Sequence, residues 1–188
     1  MQHSPLIEKY LTQLKLLTAA TQLPVLDLAC GSGRNGLYLV ENKIPVTFAD
    51  LRDDVLEQVK ASLSSFPDQN QAQILGRYWQ VDFEKVNTAP LKDKSFAAVM
   101  VFRYLHRPLF EQIKAAVKPG GLIIYETFTE QQAQFGRPKN PNFLLKPTEL
   151  NELFNDWQIL YSFEGVISSP SSSEAKQAIA QIVARKPN

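Results

Sequence analysis

Three glycines and three aspartates carry the densest chemistry in the chain. Residues 25–36 read Val-Leu-Asp-Leu-Ala-Cys-Gly-Ser-Gly-Arg-Asn-Gly, so Gly31, Gly33 and Gly36 follow an apolar run with G-x-G-x-x-G spacing. Glycines so placed permit a tight turn and let backbone N–H groups approach a ligand closely. Asp50 comes 19 residues after Gly31 and closes the next apolar run. That is the position of an acid that accepts hydrogen bonds from a ribose diol. Asp82 closes a third run. The pattern points to a nucleotide-containing ligand held at strand ends.

Asp27 narrows the ligand. It lies four residues before Gly31, at the mouth of the turn. A dinucleotide would set its pyrophosphate against that turn, and a second carboxylate there would repel it. S-adenosylmethionine has no phosphate and carries a sulfonium and an α-ammonium beside one carboxylate. Asp27 suits that charge pattern, directly or through water. The turn amides and the following helix N-terminus take the methionine carboxylate. Asp50 then takes the ribose hydroxyls, Asp82 the adenine amino group, and Phe83 lies against the adenine ring. Cys30 reads as a small core thiol, since nothing near it in sequence would depress its pKa.

A second cluster follows the fourth apolar run, Phe102-Arg103-Tyr104-Leu105-His106-Arg107-Pro108. Methyl transfer is an in-line displacement at carbon and needs an aligned, electron-rich acceptor atom. His106 suits the removal of a proton from an alcohol or amine acceptor. Arg103, Arg107 and, in a later loop, Arg137 suit an anionic acceptor held by paired hydrogen bonds. Thiolate, selenol or metalloid acceptors need no base. His106, Arg103 and Tyr104 form the expected catalytic set; Arg103, His106, Arg107 and Arg137 form the expected acceptor-binding set. Three of these have a structural alternative, Arg107 flanking a helix start, His106 hydrogen-bonded in place and Tyr104 packed in the core, and nearby Glu126 could pair with an arginine rather than touch substrate.

The elements that must position these groups alternate between apolar runs and helical patterns, which implies a parallel sheet with crossover helices. Leu6, Ile7, Tyr10, Leu11, Leu14 and Leu17 predict a helix over 5–20. Strands are predicted at 25–28, 45–49, 78–81, 96–102 and 122–125. A helix opens at Gly33–Gly36 and ends near Asn42, another is capped by Asp53, and another runs from Pro108 to about Lys118. Lys118-Pro119-Gly120-Gly121 reads as a turn. Residues 129–147 form a polar loop with the length of a functional lid. A helix at 148–155 and strands at 157–163 and 178–184 close the chain, with 168–173 a mobile loop.

In this order the motifs resemble class I S-adenosylmethionine-dependent methyltransferases. Asp-Leu-Ala-Cys-Gly-Ser-Gly-Arg-Asn-Gly is similar to their first motif. Asp50, Val81-Asp82-Phe83, the apolar fourth strand and the Lys118–Gly121 turn match later motifs. The likeness covers residues 23–128. Cys-Gly-x-Gly-Arg-Asn is most similar to small bacterial methyltransferases of the tellurite-resistance (TehB-like) type. The resemblance implies one α/β, Rossmann-like domain over 1–188. Its sheet would have seven mostly parallel strands in the order 3-2-1-4-5-7-6, with helices on both faces. An N-terminal helix within 1–22 and the 129–147 lid would cover the site. The cofactor set implied is Asp27, Ala29, Cys30, Gly31, Gly33, Asn35, Asp50, Leu51, Asp82, Phe83 and Phe102. No Asn/Asp-Pro-Pro-Tyr/Phe follows the fourth strand, which disfavours amino-methylation of adenine or glutamine by that route.

Composition trims the alternatives. Twenty basic residues against 19 acidic leave a net charge of +1, without the basic excess of a nucleic-acid binder. One cysteine excludes an internal disulfide and fits a reducing, cytoplasmic setting. One cysteine and two histidines are too few for a zinc cluster, so no metal is expected. No run approaches the roughly 20 apolar residues of a membrane span. The expectation is an S-adenosylmethionine-dependent methyltransferase, monomeric or homodimeric, acting on a small acceptor that is anionic or a thiol or metalloid. The alternatives are a non-catalytic methyltransferase-like binding subunit and a tRNA or protein methyltransferase. A nicotinamide-dependent oxidoreductase is disfavoured by Asp27 and by the lack of a Tyr-x-x-x-Lys pair.

Overall fold

The sheet at the centre of the chain is apolar on both faces, and this explains why its strands read as unbroken apolar runs. The computed structural model describes residues 3–169 and 172–188. Two short helices, α1 (Pro5–Lys9) and α2 (Leu11–Thr21), precede strand β1 (Val25–Leu28). Then come α3 (Arg34–Glu41), β2 (Val46–Asp50), α4 (Asp53–Ser64), α5 (Gln69–Leu75) and β3 (Gly76–Gln80). The second half contains β4 (Phe96–Phe102), α6 (Phe110–Ala116), β5 (Val117–Phe128), α7 (Glu149–Leu153), β6 (Gln158–Ser169) and β7 (Ser172–Arg185).

The strand order is β3-β2-β1-β4-β5-β7-β6, as expected from the resemblance. Neighbours from β3 through β5 are parallel; β7 is antiparallel to both β5 and β6. The order reverses between β1 and β4, which opens a crevice beyond their carboxyl ends. Side chains alternate across the sheet. Leu26, Leu28, Val99, Val101 and Ile123 pack on one side with Phe110, Ile113 and Phe154. Val25, Phe48, Ala98, Met100 and Ile124 pack on the other with Leu14, Leu39 and Val59. Asp27 shares the second face with Val25 and meets α3 there.

Several elements differ from the sequence expectation. The predicted first helix breaks at Tyr10, with φ −107° and ψ 11°. The Tyr10 backbone N–H caps α1 on the Ile7 carbonyl while its ring is buried, and α2 packs against β4. Of the large apolar residues in α1 and α2, Leu16 alone is exposed. Arg52, not Asp53, is the N-cap of α4; Asp53 and Asp54 lie in its first turn, where they face the positive end of the helix dipole. Helix α5 was not expected. The Lys118–Gly121 turn is carried inside β5 as an excursion, because pairing with β4 jumps from Phe96–Val117 to Ala98–Leu122.

The last two strands are far longer than predicted and extend to Ser169 and Ser172. Residues 168, 169, 172 and 173 of the predicted mobile loop are strand; its centre, 170–171, lies outside the described residues. The 129–147 segment is tied down. Thr129 bridges Leu145, short 3-10 turns span Glu130–Gln134 and Pro141–Phe143, and Leu144 and Leu145 are buried. Buried Gln132 accepts from the Ala178 amide at 2.9 Å and donates to the Arg137 carbonyl at 3.1 Å.

Candidate functional site

The glycine turn sits at the β1 end of the crevice. Its backbone alternates into the left-handed region at Ala29 (φ 52°), Gly31 (51°) and Gly33 (68°). A Cβ at Gly31 would meet nothing within 4 Å, so this glycine faces open space where a ligand fits. Gly36 serves packing instead. A Cβ there would strike the Phe48 ring and stand 2.8 Å from Asp27 Oδ2. Close approach of helix and strand thus requires glycine at this position.

Asp50 braces the turn. The Gly31 amide donates to its Oδ2 at 2.9 Å and the Arg52 amide to its Oδ1 at 3.0 Å. A carboxylate oxygen accepts more than one hydrogen bond, so both retain capacity for hydroxyl donors. Asp27 is 3% exposed, and the Gly36 amide donates to its Oδ2 at 3.1 Å. Burial pushes its pKa up to about 8, against the lowering effects of the Gly36 amide and the Arg34 charge. A cationic ligand group beside Asp27 would restore the carboxylate form.

A cleft of about 450 Å³ continues from Asp50 and is lined by Ala29, Leu51, Asp82, Phe83, Glu84 and Tyr104, among others. Asp82 Oδ1 accepts from the Glu84 amide at 2.8 Å, which folds the chain tightly after β3. Phe83 is buried and meets Trp79 edge-on at 5.6 Å. Five of the predicted cofactor residues line this cleft, and Tyr104, expected on the acceptor side, joins them. Burial and the nearby Glu84 carboxylate raise the Tyr104 phenol above its ordinary pKa. Phe102 packs on the Asp27 face of the sheet. Burial likewise pushes the Cys30 thiol up, which disfavours the thiolate. Buried Asn35 accepts from the Ser4 amide through Oδ1 at 2.8 Å and anchors the N-terminal segment to α3.

A second cavity, of about 390 Å³, lies beyond β4 and β5. Arg103, Arg34, Glu126, Gln181 and Tyr161 line it together with His3, Pro5, Leu6 and Lys9. Arg103 turns the chain, with φ 60°, and its amide donates to the Glu126 carbonyl at 2.8 Å. Its Nη2 stands 3.1 Å from Glu126 Oε1 and donates to Gln177 Oε1 at 3.0 Å. Burial lowers the Arg103 pKa, the Glu126 charge opposes that, and Arg34 adds to it. Arg103 Nη1 is buried without a hydrogen-bond partner, an orphaned donor at the cavity wall.

The other residues expected around the acceptor do not converge there. His106 and Arg107 leave the Arg103 turn on the Glu84 side and line a separate cavity with Asn142 and Phe143. Arg107 grips Glu149 through both oxygens, at 2.6 and 2.8 Å, and donates to the Asn142 and Leu144 carbonyls. Its guanidinium is a strut for the 142–149 segment. Arg137 is exposed on its loop. Sequence reasoning missed Lys9, His3, Tyr161 and Gln181, which reach the cavity only through tertiary contacts. His3 carried no sequence expectation, yet its ring stacks on Tyr38 at 3.6 Å with 9° between planes.

This arrangement joins a glycine turn to two cavities, one against Asp50 and Asp82 and one against Arg103. It is the site plan of a methyl-transferring α/β domain. Residues 25–121 match the family model described as methyltransferase domain, and the chain belongs to that family. Among curated proteins no sequence matches it. Its fold is similar to that of TehB from Haemophilus influenzae, with TM-score 0.69 and 20% identity over 93% of this chain. The chain spans only 62% of TehB. A methyltransferase from Methanosarcina mazei described as S-adenosylmethionine-dependent gives TM-score 0.67 at 15% identity, covering 100% of this chain and 99% of that one. The glycopeptide N-methyltransferase MtfA, complexed with S-adenosylmethionine, gives 0.66 at 16% identity, covering 100% and 88%.

Proposed function

We propose that the chain is an S-adenosylmethionine-dependent methyltransferase that modifies a small acceptor, anionic or with a thiol or metalloid nucleophile, in the cytoplasm. The observation that carries the reading is the pairing of open space at Gly31 with two differently placed carboxylates, buried Asp27 and half-buried Asp50. A phosphate-bearing cofactor would set its negative charge beside Asp27 and leave no cation to ionise it, whereas Asp50 suits the ribose of either kind of cofactor. A cofactor with an ammonium, a carboxylate and a ribose diol satisfies each group present.

Asp27 would face the ammonium, and the turn amides with Arg34 the carboxylate. Asp50 would accept from the ribose hydroxyls, while Asp82 and Phe83 hold the adenine edge and face. When bound, S-adenosylmethionine supplies an electrophilic methyl group on its sulfonium. Arg103, fixed by Glu126 and Gln177, would orient the acceptor in the adjoining cavity. Tyr104 lines the cleft beside Asp82 and Glu84 and would shield a bound nucleoside from water. Of the apolar side chains of the first helices, Leu16 is the exposed one, so these helices offer a partner subunit little apolar surface.

The test is calorimetric titration with S-adenosylhomocysteine, with NAD as control. Micromolar binding of the former alone supports the cofactor class. Binding of neither by folded protein, or of NAD alone, overturns it.

A further inference from the structure

The cavity beyond β4 gathers three basic side chains. Lys9, Arg34 and Arg103 line it against one carboxylate, Glu126. Arg103 is engaged by Glu126 and Gln177. Arg34 stands close enough for its charge to act on both Asp27 and Arg103, at the end of the cavity nearest the glycine turn. On the reading above, that end receives the methionine carboxylate. The remaining cation is Lys9, which has no carboxylate partner among the described residues. Its ammonium lies 4.1 Å from the centre of the Tyr161 ring, at the rim. The rest of the wall includes Pro5, Leu6, Tyr161 and Ile167. One uncompensated cation beside an apolar surface matches a monoanion that carries an apolar body. At about 390 Å³ the space is also far larger than an inorganic oxyanion needs.

We propose that the methyl acceptor is a small monocarboxylate with an aromatic or aliphatic body, and that Lys9 at the cavity rim binds its carboxylate. The body lies against Leu6, Tyr161 and Ile167, which directs a thiol at the opposite end of the molecule towards the glycine turn; its sulfur takes the methyl group as the sulfonium C–S bond breaks, and the thiol proton is lost to solvent. This rests on the cofactor assignment made above. The backbone that carries Lys9 is held in place because α1 is capped by Ser4 and Ser4 is anchored to Asn35.

The experiment is titration of the protein saturated with S-adenosylhomocysteine, using benzoate and hexanoate, their neutral amides, and inorganic phosphate. The expected result is that at least one carboxylate binds about tenfold or more tightly than its amide and than phosphate. Lys9→Met removes that preference and Lys9→Arg retains it, both with unchanged affinity for S-adenosylhomocysteine. Lys9 is solvent-exposed, so neither change burdens the fold. Equal binding of acid and amide, tighter binding of phosphate, a preference that survives Lys9→Met, or no binding of either acid overturns the assignment. Failure of S-adenosylhomocysteine to bind at all is a separate result, which strikes the cofactor reading first.

Discussion

The Gly36 amide donates to Asp27 Oδ2 at 3.1 Å, which ties the first turn of α3 to the strand before the glycine turn. The bond places a carboxyl group, rather than a helix dipole alone, beside the glycine turn. Gly36→Ala would force a methyl group into the Phe48 ring and against Asp27. Overpacking of this kind costs about 1–3 kcal/mol. Thermal melting should register a clear drop, and S-adenosylhomocysteine titration a loss of affinity. Gly31→Ala should lose affinity with a smaller loss of stability, since its Cβ enters open space and only the left-handed backbone resists.

Asp27 should make the free protein less stable as pH rises. Its pKa moves from the usual 3.8 to about 8 on folding. Between those values the folded state holds a proton that the unfolded state has released, so this group's contribution is full below pH 3.8 and is lost progressively up to about pH 8. Asp27→Asn should flatten that slope in urea unfolding measured across the range. An unchanged slope would remove Asp27 as its source. The same variant should bind S-adenosylhomocysteine at least about tenfold more weakly.

The Arg103–Glu126 pair separates structure from chemistry. Glu126 has a side chain only 6% exposed, so Arg103→Met leaves a buried carboxylate without its cation. Loss of about 3 kcal/mol or more is expected in urea unfolding. Adding Glu126→Gln should recover most of that stability while turnover stays low. Recovery of turnover as well would mean that Arg103 serves only the fold.

Arg107→Ala should free the 142–149 segment without touching cofactor binding. The guanidinium makes two charge-assisted bonds to Glu149 and two to carbonyls. The side chain is 34% exposed, so a modest loss of about 1–2 kcal/mol is expected. Hydrogen exchange should quicken at residues 142–145, and S-adenosylhomocysteine affinity should hold.

The glycine-turn half of the crevice was legible because it is local. Glycine spacing, strand ends and acids recur at distances set by one β-α-β unit, and Asp50 meets Gly31 as that unit requires. The surroundings of the Arg103 cavity were not. Lys9 reaches Tyr161 across most of the chain, and no short-range pattern records such a contact. Arg103, Arg107 and His106 are neighbours in sequence, but the left-handed turn at Arg103 sends them to different cavities. Helix α5 escaped because Gln69–Leu75 is mostly polar and buries only Ala72. The closing strands were expected at 157–163 and 178–184, but their extension to Ser169 and Ser172 was not, because Gly165 and exposed Val166 interrupt the alternation of apolar and polar residue types.

The bond between the Ser4 amide and Asn35 has an evolutionary reading. Its donor is main chain, so every residue but proline at position 4 can supply it. Selection to keep this bond therefore falls on Asn35, while the Ser4 hydroxyl is needed separately to cap α1. Exposed Pro5 and Lys9 are left to vary with the molecule they face, and buried Leu6 stays with the core. A lineage could exchange one acceptor for another by editing those few codons while the cofactor half of the crevice stays as it is.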